Sequence, residues 1–132
     1  MVLEEEVYTS SGTSNGSTSE GSNNFNVTVL SYYNSNDFYI DGVRNKTLSL
    51  TEGQTYRFNQ SDSSNTNHPL RFSLTANGTH GGGVEYTTGV TAVGTPGTSG
   101  AYTEITVASG VATLYYYCSN HSGMGGTINT PA

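Results

Sequence analysis

From residue 25 onward, apolar and polar positions alternate in short runs. Residues 25–30 read FNVTVL, the pattern of a strand with one buried face. Residues 38–40 run into Asp41-Gly42, a dipeptide that favours a tight hairpin turn. Residues 47–50 and 55–60 alternate again, with the turn Thr51-Glu52-Gly53 between them. Residues 70–74 follow Pro69, and proline belongs at the start of a strand rather than inside one. Residues 101–107, 112–117 and 126–130 complete the series. Between them lies a Gly/Thr-rich stretch, 75–100, with one short strand predicted at 86–90. About eight short strands without a helical period predict an all-β chain, folded as an antiparallel sandwich or barrel.

Residues 1–24 break this pattern. After Glu4, Glu5 and Glu6 the tract is Ser, Gly, Thr and Asn with almost no apolar position. It cannot bury enough surface to offset its ordering entropy. The expected organisation is a low-complexity N-terminal arm or linker over 1–24 and one domain over 25–132. Such an arm orders only against something else, and the expected holder is a neighbouring protein chain.

Composition agrees with strands and turns. The 132 residues include 17 Gly and 10 Tyr but no Trp, and only 11% are charged. Net charge is −6, and the four basic residues, Arg44, Lys46, Arg57 and Arg71, form no run. Nothing here neutralises phosphates, which argues against nucleic acid and an anionic membrane surface as partners. The first residues, MVLEEEVYTSSG, have neither the basic nor the apolar part of a secretory signal.

The single cysteine excludes an intrachain disulfide and points to other chemistry. Cys118, His121 and Met124 fall within seven residues, between two strand-like runs. Soft sulfur donors with imidazole select copper over calcium or magnesium. A Cys-His-His set with a weak axial Met is the type 1 copper arrangement. The second imidazole has to come from elsewhere, and His68 stands just before the strand at residue 70. Gly123, Gly125 and Gly126 let the short loop wrap tightly. Taken singly, a buried cysteine, a core methionine and a surface histidine are the ordinary readings; the spacing of the four together favours one metal site. Zinc is the alternative ion, although structural zinc seldom takes a Met ligand. A Cys-His nucleophile pair is a second alternative, but it lacks an orienting acid, so no enzyme activity is expected. His80, in Thr79-His80-Gly81, is a weaker candidate ligand in a glycine-rich surface loop. Tyr116 is expected on the face of Cys118, with Tyr115 and Tyr117 on the other.

The stretch Tyr117-Cys118-Ser119-Asn120-His121 resembles the Tyr-Cys-Ser-Pro-His stretch of plastocyanins, and the Cys-x2-His-x2-Met spacing is similar to that of amicyanins. The segment 50–58 and the strands flanking the loop also resemble cupredoxins, so the resemblance covers about residues 25–131. It implies a cupredoxin-like Greek-key β-sandwich with one type 1 copper near one end, His121 nearer the surface, and Cys118 bonded to the metal. Two positions depart from the family. Pro69 replaces the Asn that often follows the first His and offers no N–H to the sulfur. Asn120 replaces the usual loop Pro.

The phrases at 68–73, 78–83 and 115–126 further resemble cupredoxin-like domains in structural proteins of marine cyanobacterial viruses. That resemblance implies a decoration protein of a virion, with the arm contacting a capsid or larger assembly. The alternative is a soluble blue-copper electron-transfer protein of the periplasm or thylakoid lumen, whose export signal has been removed.

Overall fold

The computed structural model describes residues 23–131. The N-terminal arm expected over 1–24 therefore lies, but for Asn23 and Asn24, outside the described residues. Ten strands make two sheets. They are β1 Asn24–Tyr32, β2 Ser35–Ile40, β3 Val43–Arg44, β4 Leu48–Ser49, β5 Thr55–Asn59, β6 Leu70–Ser73, β7 Val90–Val93, β8 Tyr102–Thr106, β9 Leu114–Cys118 and β10 His121–Asn129. One sheet has the order β3-β2-β1-β5-β8-β7 and the other β4-β10-β9-β6. The chain crosses between them repeatedly, which gives the expected all-β sandwich of Greek-key type. Most neighbours are antiparallel, as the sequence predicts. Two pairs, β1 with β5 and β10 with β4, are parallel. Each parallel pair joins segments connected through the opposite sheet, a relationship that alternation along one strand does not encode.

The alternating positions fill the space between the sheets. Val27, Val29, Phe38, Ile40, Phe58, Leu70, Phe72, Ile105, Leu114 and Ile128 are buried in one cluster. Phe58 meets Phe72 edge-on across the sandwich at 5.4 Å between ring centroids, a favoured aromatic geometry. Asp41 and Gly42 form the predicted two-residue hairpin, both at positive φ (48° and 84°), as a type I′ turn requires. Tyr33 and Asn34 make the same kind of turn at 49° and 67° without any glycine.

The long connection from β6 to β7 differs from expectation. Tyr86 makes only an isolated bridge to Phe72, and the strand begins at Val90. Pairing of Val90 with Ile105 of β8 sets its position, rather than any local apolar pattern. Residues Gly78–Gly81 form a 3-10 turn within this connection. Gly78 lies so close to the ring of Tyr117 that an added Cβ would stand 2.5 Å from it.

Candidate metal centre

Strand register assembles the donors. β6 and β9 pair antiparallel with Leu70 opposite Cys118. His68 precedes Leu70 by two positions and so shares its face, and its Nδ1 lies 3.6 Å from Cys118 Sγ. On its other side Cys118 pairs with His121 of β10. Ser119 and Asn120 alone separate these two, so the chain reverses in a two-residue turn. Residues opposite each other in an antiparallel ladder project to the same side, and His121 Nδ1 is also 3.6 Å from Sγ. The β10 strand thus starts five residues earlier than the predicted Gly126, because the tight turn closes directly on His121.

Register slips between His121 and Gly125, and Ser122, Gly123 and Met124 bulge out of the ladder. Met124 turns inward, is 2% exposed, and belongs to the same buried cluster as Cys118. Gly125, at φ 151°, sits against the carbonyl oxygen of Tyr116, where any Cβ would collide. This glycine lets the bulge return to the strand.

The backbone around His68 is held by a side chain that the sequence did not single out. Gln60 is 1% exposed. Its Nε2 donates to the carbonyl of His68 at 2.7 Å and to Asn65 Oδ1 at 3.0 Å. Its Oε1 accepts from the Leu70 N–H at 2.9 Å. Gln60 therefore spans Pro69, satisfying the polar groups on both sides of a residue that has no N–H of its own. Asn65 extends the network, accepting the His68 N–H at its carbonyl and donating from Nδ2 to the carbonyl of Val27 at 2.7 Å.

The electrostatics favour neutral imidazole and resist a free thiolate. Burial, and then the charge of His121, holds the pKa of His68 below its usual value. Burial pushes the Cys118 thiol up, opposed by hydrogen bonds from the backbone N–H groups of Asn120 and His121 and by the charge of Arg71. The sulfur contacts that Pro69 cannot supply are thus made by the ligand loop itself. A cation bonded to the sulfur reverses the cost of burying a thiolate.

One ligand atom each from His68, Cys118 and His121 lie within 4.8 Å of one another. Two donors 3.6 Å apart match a trigonal ion about 2.1 Å from each, close to ordinary metal–imidazole and metal–thiolate lengths. His68 and Cys118 are buried while His121 is exposed. Two imidazoles, a thiolate and a buried thioether form a soft set with low coordination number, which fits copper.

His80 stands apart from the donors. Its Nε2 bonds the backbone carbonyl of Cys118 at 2.9 Å, and its ring meets Tyr117 edge-on at 6.2 Å. Tyr116 points into the core with Cys118, and Tyr117 is buried outside that cluster, as strand alternation predicts.

No protein-family model matches the chain, and no curated protein sequence matches it. Solved structures do. Rusticyanin from Thiobacillus ferrooxidans superposes with a TM-score of 0.51 at 17% identity, over 82% of this chain and 76% of that chain. A reduced rusticyanin gives a TM-score of 0.49 at 19% identity, over 82% of this chain and 78% of that chain. Rusticyanin is a cupredoxin. This chain has the cupredoxin fold, and within it His68, Cys118, His121 and Met124 fit a single type 1 copper site.

Proposed function

We propose that the chain binds one copper ion at His68, Cys118, His121 and Met124 and exchanges single electrons through His121. The observation that carries this reading is the donor triangle, with both imidazole Nδ1 atoms 3.6 Å from the same sulfur. Copper bound there supplies a one-electron Cu(II)/Cu(I) couple. The chain's own residues do the rest. Cys118 and Met124 are buried and keep water from the sulfur donors. Cys118 ends β9, and His68, two residues before β6, has its backbone held by Gln60, which limits how far both move between oxidation states. His121 is exposed and offers a redox partner the nearest edge of the site. The reading assigns no catalytic residue and no enzyme activity. Titration of the metal-free protein with Cu(II) tests it. One equivalent is expected to give an intense visible thiolate-to-copper band and a reversible one-electron wave. A protein that stays colourless overturns the reading.

We further propose that the domain works inside a larger assembly, as a structural or decoration module of a viral particle. The composition of residues 1–24, which favours order only against a partner, supports this. The resemblance of the 68–73, 78–83 and 115–126 phrases to virion proteins supports it as well. In this reading the N-terminal segment contacts a neighbouring capsid chain, and the protein is located in the virion. Removing residues 1–22 leaves every strand of the described residues intact. The truncated protein is expected to fold and take up copper but to be missing from assembled particles. Its retention in particles refutes the tether, and a freely diffusing native protein favours the soluble electron carrier.

A further inference from the structure

We propose that the segment Gly78–Gly81, with Asn77 before it, is an external clamp on the Cys118–Met124 ligand loop, in which Asn77 and His80 are positioning residues. The proposal rests on the copper reading of that loop. Ser122, Gly123 and Met124 bulge out of the β9–β10 ladder, so the sheet does not fix them. Asn77 does. Its Oδ1 accepts the Gly123 N–H at 2.9 Å, and its Nδ2 donates to Ser122 Oγ at 2.9 Å. Three residues on, His80 Nε2 reaches the carbonyl of Cys118 at 2.9 Å. A carbonyl only accepts, so Nε2 carries the proton. The segment therefore grips both the first ligand of the loop and the residues just before the last.

The clamp is itself anchored. Gly78 packs closely against the ring of Tyr117, which is buried on the face of β9 opposite Cys118. Asn77 has φ 65°, a left-handed conformation that Asn tolerates better than most residues. From the other side, Asn120 Nδ2 donates to the carbonyl of Asn67 at 3.1 Å. The loop is thus tied between the His68 strand and the Asn77 segment. Holding it in the ligating shape beforehand removes ordering cost from metal binding.

Asn77→Gly tests this cleanly, because glycine keeps the left-handed backbone and removes both side-chain bonds. Asn77→Asp retains an acceptor for the Gly123 N–H and the Ser122 hydroxyl. His80→Phe keeps a ring against Tyr117 and loses the bond to Cys118. Two readouts are taken: Cu(II) and Co(II) affinity with the thiolate-to-metal band, and hydrogen exchange of the Gly123 amide in the metal-free protein. Asn77→Gly and His80→Phe are expected to bind on the order of 10-fold more weakly with a shifted band. Asn77→Gly is also expected to lose protection at Gly123, and Asn77→Asp to recover both properties. An Asn77→Gly protein with wild-type affinity, band and Gly123 exchange overturns the clamp. A wild-type protein without any band counts against the copper reading instead, and Gly123 exchange then decides the clamp alone.

Discussion

Leu70 stands directly opposite Cys118 in the β6–β9 ladder, and this register brings His68 onto a thiol 50 residues away. A slip of one residue would send His68 to the other face of the sheet. The site is therefore specified by the same apolar contacts that specify the sandwich. Cys118→Ser is expected to abolish the visible band while the metal-free protein keeps its strand content by circular dichroism. Met124→Leu conserves volume and is expected to cost less than about 1.5 kcal/mol in urea unfolding. It should retain the band and change the reduction potential, since the axial ligand tunes that potential.

Gln60→Leu removes partners from the His68 carbonyl, the Leu70 N–H and Asn65 Oδ1 together. Each buried group left unpaired costs about 1–3 kcal/mol, so a loss of at least about 3 kcal/mol is expected in chemical denaturation. Metal affinity should fall as well, because the backbone on both sides of Pro69 is freed. A variant as stable as wild type would show that the network contributes nothing.

Gly78→Ala places a Cβ 2.5 Å from the Tyr117 ring at a φ of 53°. Overpacking of this kind costs about 1–3 kcal/mol. A lowered unfolding midpoint is the expected result, and an unchanged midpoint would mean that the 3-10 turn moves freely away from β9.

Tyr116 is expected to make the core sensitive to alkaline pH. Burial raises its pKa above the tyrosine range, and its hydroxyl donates to the Lys46 carbonyl at 2.7 Å. The folded state favours the protonated phenol, so this contribution is intact below the unfolded value of about 10 and lost as pH rises beyond it. Unfolding midpoints followed across that range should fall more steeply for wild type than for Tyr116→Phe. Identical slopes would exclude Tyr116 as the cause.

Much of this was legible in the chain because it depends on local period and donor chemistry. Val27, Val29 and Phe58 announce their strands by alternation, and the Cys118–His121–Met124 spacing announces soft-metal ligation. Gln60 was not legible. Gln60 follows Tyr56 and Phe58 on the inward face of its run, but alternation does not say what its amide will meet, and only its tertiary setting turns it into the brace of His68. Asn77 and His80 sit in a glycine-rich stretch without periodicity, so their reach to Gly123 and Cys118 depends on how that connection folds over β9. The β7 strand was displaced for the same reason, since its register comes from β8. The Tyr33-Asn34 turn lacks the glycine that usually signals such a hairpin.

The two-residue turn between Cys118 and His121 restricts where the ligand loop can vary in length. An insertion at Ser119 or Asn120 separates the paired ligands and opens the three-donor triangle. An insertion among Ser122, Gly123 and Met124 breaks no ladder bond; it disturbs the Asn77 bonds to Ser122 and Gly123 and the approach of the thioether, and leaves the three-donor triangle paired. The loop is therefore divided into a fixed half that sets whether an ion binds and an adjustable half that sets how the fourth donor approaches it.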